Sequence, residues 1–291
     1  MAQVAVVGVG AIGGMLAALL ETTGLHEITL CTRRAMEALT VRTPDGVVTV
    51  KARNPTDPKQ AETVDWVLVA TKTYDAAGAG EWLRGLASSG ATVVVVQNGV
   101  EHRERLAPYV EAERIVPVVI DCPVQRQPDG TVVQRGKVTM KVEEGPLGAE
   151  FKELFRGSKV EIELVPDFKT AAWRKLCTNA AGAINALTMK PAGVFHQEAV
   201  AQLALGMVAE VVAVGRAEGA RLDGSVGQQV VNMYRAQPKD SVNSLLADRI
   251  AGRRMETDAR NGVIVRLGEK HGIATPLNRM AVAVLEAGNF E

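Results

Sequence analysis

The stretch Val4-Ala5-Val6-Val7-Gly8-Val9-Gly10-Ala11-Ile12-Gly13-Gly14 decides how the rest of the chain is read. Val4 to Val7 form a short apolar run of the kind that makes a buried strand. Met15-Leu16-Ala17-Ala18-Leu19-Leu20, beyond the glycines, opens a helix. A strand, then G-x-G-x-x-G, then a helix is the context in which this motif binds a dinucleotide. Gly8 permits the tight turn, Gly10 lets backbone approach a pyrophosphate, and Gly13 lets helix pack closely on strand. The new helix presents unpaired N–H groups and its positive dipole end to the phosphates. Gly8, Gly10, Ala11, Ile12 and Gly13 are therefore candidate cofactor-binding residues, the alternative being a merely tight strand–helix turn.

Working outward, Ile28-Thr29-Leu30-Cys31 reads as a second strand that runs into Thr32-Arg33-Arg34. The NAD-binding form of this unit carries an acidic residue there, about 20 residues past the glycines, to hold the ribose 2′-hydroxyl. An arginine suits a 2′-phosphate, which a guanidinium grips with paired charge-assisted bonds. The expected cofactor is NADP(H), with Arg33 the favoured clamp, Arg34 the second choice, and a pair of solvated loop arginines the alternative. Residues 41–53 alternate around Pro44-Asp45-Gly46 as a hairpin does. Trp66-Val67-Leu68-Val69-Ala70 and Thr92-Val93-Val94-Val95-Val96 are continuous apolar runs suited to central parallel strands, with a helix between them near 76–86. The first ends at Lys72 and the second at Gln97-Asn98-Gly99. Ligands bind beyond strand tips in such sheets, so Lys72 is a cofactor candidate and Asn98-Gly99 is either a contact or a plain turn.

Past Arg114, residues 115–120, 130–134 and 137–142 read as short strands that extend the same sheet in antiparallel fashion, with another at 160–164. A break falls at Val165-Pro166-Asp167. Asp167 suits the cap of a helix running through Trp173, Leu176 and Leu187; helices over 197–217, 225–235, 244–252, 256–271 and 276–287 follow. The expected α/β architecture is an N-terminal Rossmann-type doubly wound sheet with an antiparallel extension, residues 1–166. An all-α domain, residues 167–291, completes it.

Bulk properties narrow the function. Lys plus Arg and Asp plus Glu number 33 each, which argues against a nucleic-acid surface or an anionic membrane partner. Three dispersed cysteines without a C-x-x-C pair fit buried thiols in a reducing, cytoplasmic setting rather than a disulfide framework. The first strand starts almost at residue 1, leaving no room for a signal peptide, and no uninterrupted apolar stretch reaches the roughly 18 residues that span a bilayer. His26, His102, His196 and His271 share no ligand-like spacing with one another or with the cysteines, so no metal is expected. A G-x-S-x-G elbow is absent, which disfavours a serine hydrolase. The long apolar helices leave open whether they build a homodimer interface or the domain's own core.

The helical half offers chemistry. Trp173-Arg174-Lys175-Leu176-Cys177-Thr178-Asn179 puts Lys175 and Asn179 four residues apart, on one helix face. Ser244-Leu245-Leu246-Ala247-Asp248 and Arg253-Arg254-Met255-Glu256 follow. With the glycine turn, Lys72, Gln97-Asn98-Gly99 and Gly272-Ile273-Ala274-Thr275-Pro276, this ordered set resembles the ketopantoate reductase family (2-dehydropantoate 2-reductases) along essentially the whole chain. The resemblance implies that Lys175 is the catalytic acid. It also implies that Asn179 and Ser244 bind substrate, that Glu256 lies beside the catalytic site, and that Lys72, Asn98 and Glu256 line the cofactor and substrate cleft. One departure stands out. Many relatives carry a second substrate asparagine four residues after the first, where this chain has Ala183; Asn185 is the candidate replacement.

The reaction so implied is NADPH-dependent reduction of a 2-oxo acid, foremost 2-dehydropantoate to (R)-pantoate in pantothenate biosynthesis. Hydride arrives at C2 while negative charge grows on its oxygen. A positioned ammonium stabilises that oxyanion and delivers the proton, and a neighbouring carboxylate such as Glu256 favours the charged form. Taken singly, the same residues have plain structural readings: Lys175 a surface lysine, Ser244 and Asp248 a helix cap, Glu256 a carboxylate favoured by a helix dipole. Two rival functions are a reductase or dehydrogenase for another 2-oxo or 2-hydroxy acid, and a non-catalytic NADP(H)-binding sensor.

Overall fold

The structure, a computed structural model, describes residues 1–288. It comprises two compact units: Met1–Gln97 with Glu101–Phe168, and Asn98–Val100 with the chain from Lys169 onward.

The first unit runs β1 (Ala2–Val7), α1 (Ala11–Glu21), β2 (His26–Cys31), β3 (Leu39–Thr43), β4 (Gly46–Val50), β5 (Trp66–Val69), α2 (Ala76–Leu86) and β6 (Thr92–Val95). It continues through α3 (His102–Leu106), β7 (Ile115–Asp121), β8 (Val124–Arg126), β9 (Val132–Gln134), β10 (Thr139–Glu143), α4 (Pro146–Leu154) and β11 (Glu161–Val165). A seven-stranded sheet has the order β11-β10-β7-β6-β5-β1-β2. Its five strands from β7 to β2 pair in parallel, β10 joins β7 antiparallel, and β11 runs parallel to β10.

The valine-rich strands are apolar on both faces because both faces are covered. Val4 and Val6 of β1 pack with Leu16 and Leu20 of α1, whereas Ala5 and Val7 pack with Trp82, Leu83 and Leu86 of α2. Burying each such valine or leucine contributes roughly 1.5–3 kcal/mol, so the alternation is what locks β1 into the centre.

Two expectations are corrected. Residues 115–120, expected to extend the sheet antiparallel, form β7 and pair in parallel with β6. Residues 130–134 do not extend the main sheet. Their strand, β9, pairs in parallel with β3 in a separate four-stranded sheet ordered β4-β3-β9-β8. The cause lies in α1, where every residue from Gly13 to Leu20 is buried. A helix apolar all round needs cover on both sides, and the second sheet supplies the outer one through Leu39, Val41, Val50 and Val132. Gly14 makes the approach possible: a Cβ there would stand 3.0 Å from Val132 Cγ2.

The second unit is helical: α5 (Phe168–Ala181), α6 (Ala183–Thr188), α7 (Glu198–Ala217), α8 (Val226–Ala236), α9 (Ser244–Ile250), α10 (Val263–His271) and α11 (Pro276–Ala287). Helix α7 is long and apolar enough to cross a membrane by length and composition. Its Ala201, Ala204, Met207, Val208, Val211 and Val214 instead build the core with Trp173, Leu176, Val231 and Ile264. Its Glu210 carboxylate accepts the Leu277 and Asn278 N–H groups at 2.8 and 2.9 Å, closing the start of α11.

Two further departures shape the site. The expected single helix through Leu187 breaks at Gly182, where a Cβ would lie 2.4 Å from Tyr234 Oη and 3.2 Å from Arg260 Nη2. Helix α10 is preceded by one wide π-helical turn, Asp258–Gly262, within the stretch expected to be plain helix. Such turns concentrate at functional sites, and here it carries two buried polar residues in succession, Arg260 and Asn261.

Candidate active site

In the first unit the glycine turn has the geometry that its spacing suggests. Gly8 sits at φ +92°, and a Cβ on it would lie 2.6 Å from the Thr71 backbone nitrogen, so the β1 tip is pressed against the β5 tip. A Cβ on Gly13 would stand 2.2 Å from Gly8 O. Gly10 caps α1 in an extended conformation with no side-chain cap, and a Cβ there would meet nothing within 4 Å. The contrast separates a glycine required by the fold from one at an open approach. With Ala11, Ile12 and Gly13 at the first turn of α1, this is a cradle that a phosphate fits.

Arg33 projects beyond β2 with its side chain 84% exposed, and Nη2 donates to Asp75 Oδ2 at 2.8 Å. An ion pair so exposed contributes little to stability, so Arg33 is not held there by the fold. Lys72 is half-buried, directly after β5. Beside it Gln97 Nε2 donates to Thr71 O and Oγ1 at 3.0 and 2.9 Å, tying the tip of β6 to that of β5. Two clefts of this unit, about 330 and 610 Å³, are lined by residues such as Gln3, Asp65 and Ser89 or Trp66, Glu150 and Leu164. Neither includes a residue of the glycine turn.

The second unit gathers four of the expected residues into one hydrogen-bonded chain. Asn98 Nδ2 donates to Glu256 Oε2 at 3.0 Å, and Asn179 Nδ2 donates to Asn98 Oδ1 at 3.3 Å. Arg260 Nη2 donates to Asn179 O at 2.9 Å, and Arg260 Nη1 donates to Ser244 Oγ at 3.3 Å. Glu256 is 5% and Asn179 8% exposed, so the bond from Arg260 to the Asn179 carbonyl is interior and the others are partly buried. Lys175 is half-buried on α5, one turn before Asn179 on the same face. Asn98 belongs with this unit although it follows β6 in sequence.

The cap reading of Ser244 is settled by its neighbour. Asn243 Oδ1 accepts the Leu246 N–H at 2.9 Å and caps α9, leaving Ser244 exposed and its hydroxyl on Arg260. Asp248, 6% exposed, accepts from Arg253 Nε at 3.0 Å.

Asn185 is not brought to this cluster. It is 1% exposed; its Nδ2 donates to Lys190 O and its Oδ1 accepts from Asn243, both at 2.9 Å. The Nδ2 end thus closes on the chain just past α6, and the Oδ1 end holds α6 to the α9 entry. The end of α5 is similarly answered by side chains. Tyr234 Oη donates to Thr178 O at 3.0 Å, Asn261 Nδ2 to Ala180 O at 3.3 Å, and Asn243 Nδ2 to Gly182 O at 2.9 Å. Thr178 O also accepts the Gly182 N–H at 3.0 Å, and together these bonds fix the corner on which Asn179 stands.

Burial pulls the Arg260 guanidinium below its ordinary pKa, opposed by the neighbouring Tyr234, Glu256 and Asp248. Burial pushes the Tyr234 phenol up, opposed by Arg260 and by its bond to Asn243. The Cys31, Cys122 and Cys177 thiols are pushed up to about 12 by burial, so they are not nucleophiles at neutral pH.

The Ketopantoate reductase PanE/ApbA family model matches residues 4–146, and its C-terminal counterpart matches residues 167–289. This chain belongs to the ketopantoate reductase family. A 2-dehydropantoate 2-reductase of Caulobacter vibrioides is 50% identical over 287 residues, covering 99% of each chain. One from Mycobacterium tuberculosis is 39% identical over 289 residues, covering 98% of this chain and 97% of the other. The crystal structure of 2-dehydropantoate 2-reductase from Geobacter metallireducens superposes with a TM-score of 0.90 at 28% identity, covering 99% of this chain and all of that one. The chain is therefore an oxidoreductase on a Rossmann-type nucleotide-binding fold, from a family that acts on small molecules.

Arg260 is the member of this hydrogen-bonded chain that sequence reasoning missed. It had a signal. Arg260 stands three and four residues before Val263 and Ile264, on the stripe that an amphipathic helix reserves for apolar side chains.

Proposed function

We propose that this chain reduces 2-dehydropantoate to pantoate with NADPH, and that residues 1–166 hold the nucleotide while residues 167–291 supply the substrate site. The observation that carries the proposal is the chain of contacts Glu256–Asn98–Asn179–Arg260–Ser244 beside Lys175. It offers amide, hydroxyl and cationic donors to a ligand that has a carboxylate and a keto oxygen.

NADPH, when bound, supplies a hydride to C2 of the keto acid. The open approach over Gly10 and the first N–H groups of α1 would hold its pyrophosphate, and the exposed Arg33, now paired with the half-buried Asp75, would hold the 2′-phosphate. In the substrate site the Lys175 ammonium stabilises the growing C2 alkoxide and donates its proton to that oxygen. Asn179, Asn98 and Ser244 orient the substrate, converting binding into correct approach. Glu256, held by the Asn98 amide, adds a negative charge to the site.

The test is a panel of 2-oxo acids assayed with NADPH and with NADH. The proposal expects 2-dehydropantoate with NADPH to have the highest kcat/KM. No turnover of 2-dehydropantoate beside brisk turnover of another keto acid refutes it.

A further inference from the structure

Arg260 is 3% exposed, and arginine is almost never so buried without a paired charge. Among the described residues its hydrogen bonds all go to neutral acceptors: Asn179 O at 2.9 Å, Ser244 Oγ at 3.3 Å and, more weakly, Asn179 Oδ1 at 3.5 Å. Its Nε has no partner. Glu256 and Asp248 are near enough to act on its charge, yet neither carboxylate is hydrogen-bonded to it. A buried cation left in this condition is costly, and a fold that needed only packing would place an apolar residue on that stripe. The arrangement is repaid if an anion completes it.

The surrounding contacts show through which atoms it acts. Ser244 is exposed, is not the cap of α9, and accepts an N–H from the guanidinium, so its own O–H is left to donate. Arg260 holds the Asn179 backbone carbonyl at 2.9 Å and reaches its Oδ1 at 3.5 Å, while the Asn179 Nδ2 donates to Asn98, and the two side-chain contacts set the orientation of the amide. The guanidinium also fills the α5–α6 corner, where Gly182 leaves it room and Ala183, fully buried, offers no polar group.

We infer that Arg260 is a positioning residue that makes this site select an anionic substrate head, aiming the Ser244 hydroxyl and the Asn179 amide at the substrate carboxylate and supplying the positive field behind them. The inference rests on the reductase reading above and adds to it the source of carboxylate selectivity in this chain.

The experiment uses the purified full chain with Arg260→Met, which keeps length and loses charge, and Arg260→Lys, which keeps charge and loses the fork. KM and kcat for 2-dehydropantoate are measured, with Kd for NADPH from protein fluorescence, and inhibition constants for pantoate and for its neutral lactone. Arg260→Met is expected to raise KM and the pantoate constant by about ten- to a hundredfold, the range for hydrogen bonds to a charged group. The changes in kcat, NADPH affinity and the lactone constant stay within about fivefold. Arg260→Lys recovers most of the preference for pantoate over lactone. Equal loss for pantoate and lactone, or an unchanged KM, overturns the inference. If Arg260→Met does not unfold cooperatively, Arg260→Lys decides: collapse of the preference despite the retained charge overturns it, and retention supports it. A wild-type chain that reduces no 2-oxo acid fails the underlying reading instead, and the inference falls with it.

Discussion

Replacing Gly10 or Gly13 by alanine separates a residue that serves the ligand from one that serves the fold. At Gly13 the new Cβ would be 2.2 Å from the Gly8 carbonyl oxygen and 3.2 Å from Val6 Cγ1. Backbone must move, and overpacking of this kind costs about 1–3 kcal/mol. Alanine's better helix propensity returns up to about 1 kcal/mol, leaving a net loss on the order of 2 kcal/mol. At Gly10 the Cβ meets nothing within 4 Å, and the residue is already extended at φ −83°. Losing glycine at a helix cap then costs well under about 1 kcal/mol. The methyl instead occupies the space through which backbone approaches pyrophosphate, so NADPH affinity should fall at least about tenfold, roughly 1.4 kcal/mol. Urea unfolding without nucleotide reads the stability, and quenching of the tryptophan fluorescence by NADPH reads the affinity. Gly10→Ala binding NADPH within twofold of wild type refutes the assignment of the cradle, as does a large stability loss at Gly10.

Other expectations follow from the same geometry. Arg33→Ala should raise KM for NADPH by at least about tenfold and leave that for NADH nearly unchanged, with stability intact because its ion pair is exposed; equal effects on both nucleotides exclude the clamp. Asn185→Ala should cost about 1–3 kcal/mol by stranding buried partners, with kcat/KM nearly retained in the folded fraction; a selective rise in KM returns Asn185 to the substrate site. Burial lowers His102 to about 4 from 6.5, despite its bond to Gln97 O, so between those values the unfolded chain binds the extra proton. Stability should therefore fall as pH drops from about 6.5 to 4, by up to about 3 kcal/mol. His102→Gln should flatten that part of the profile, and an unaltered slope contradicts it.

The sequence disclosed most where a local pattern has one physical meaning. Uninterrupted valine runs can only be strands covered on both faces, and the glycine turn between β1 and α1 needs its glycines for reasons visible in three residues. Strand partners are a different matter. Residues 132–134 alternate as a strand does, but nothing local says that β3 and the outer face of α1 are their partners rather than the main sheet. The candidate site divides in the same way. Lys175 and Asn179 are readable from their four-residue spacing, and Ser244 and Glu256 from their order in the chain. For Asn185, spacing cannot show that its amide closes on Lys190 and Asn243. Arg260 was passed over because a charged residue is assigned to solvent by default, even where its spacing from Val263 and Ile264 puts it on the apolar stripe.

The most direct test of the account follows the hydrogen itself. NADPH deuterated at the nicotinamide C4, with 2-dehydropantoate, should yield pantoate deuterated at C2. Lys175→Met should lower kcat by about 10²–10⁴-fold, the range for losing a positioned acid, while its NADPH affinity stays within twofold. Deuterium absent from C2, or a Lys175→Met enzyme that keeps kcat within about threefold of wild type, contradicts it.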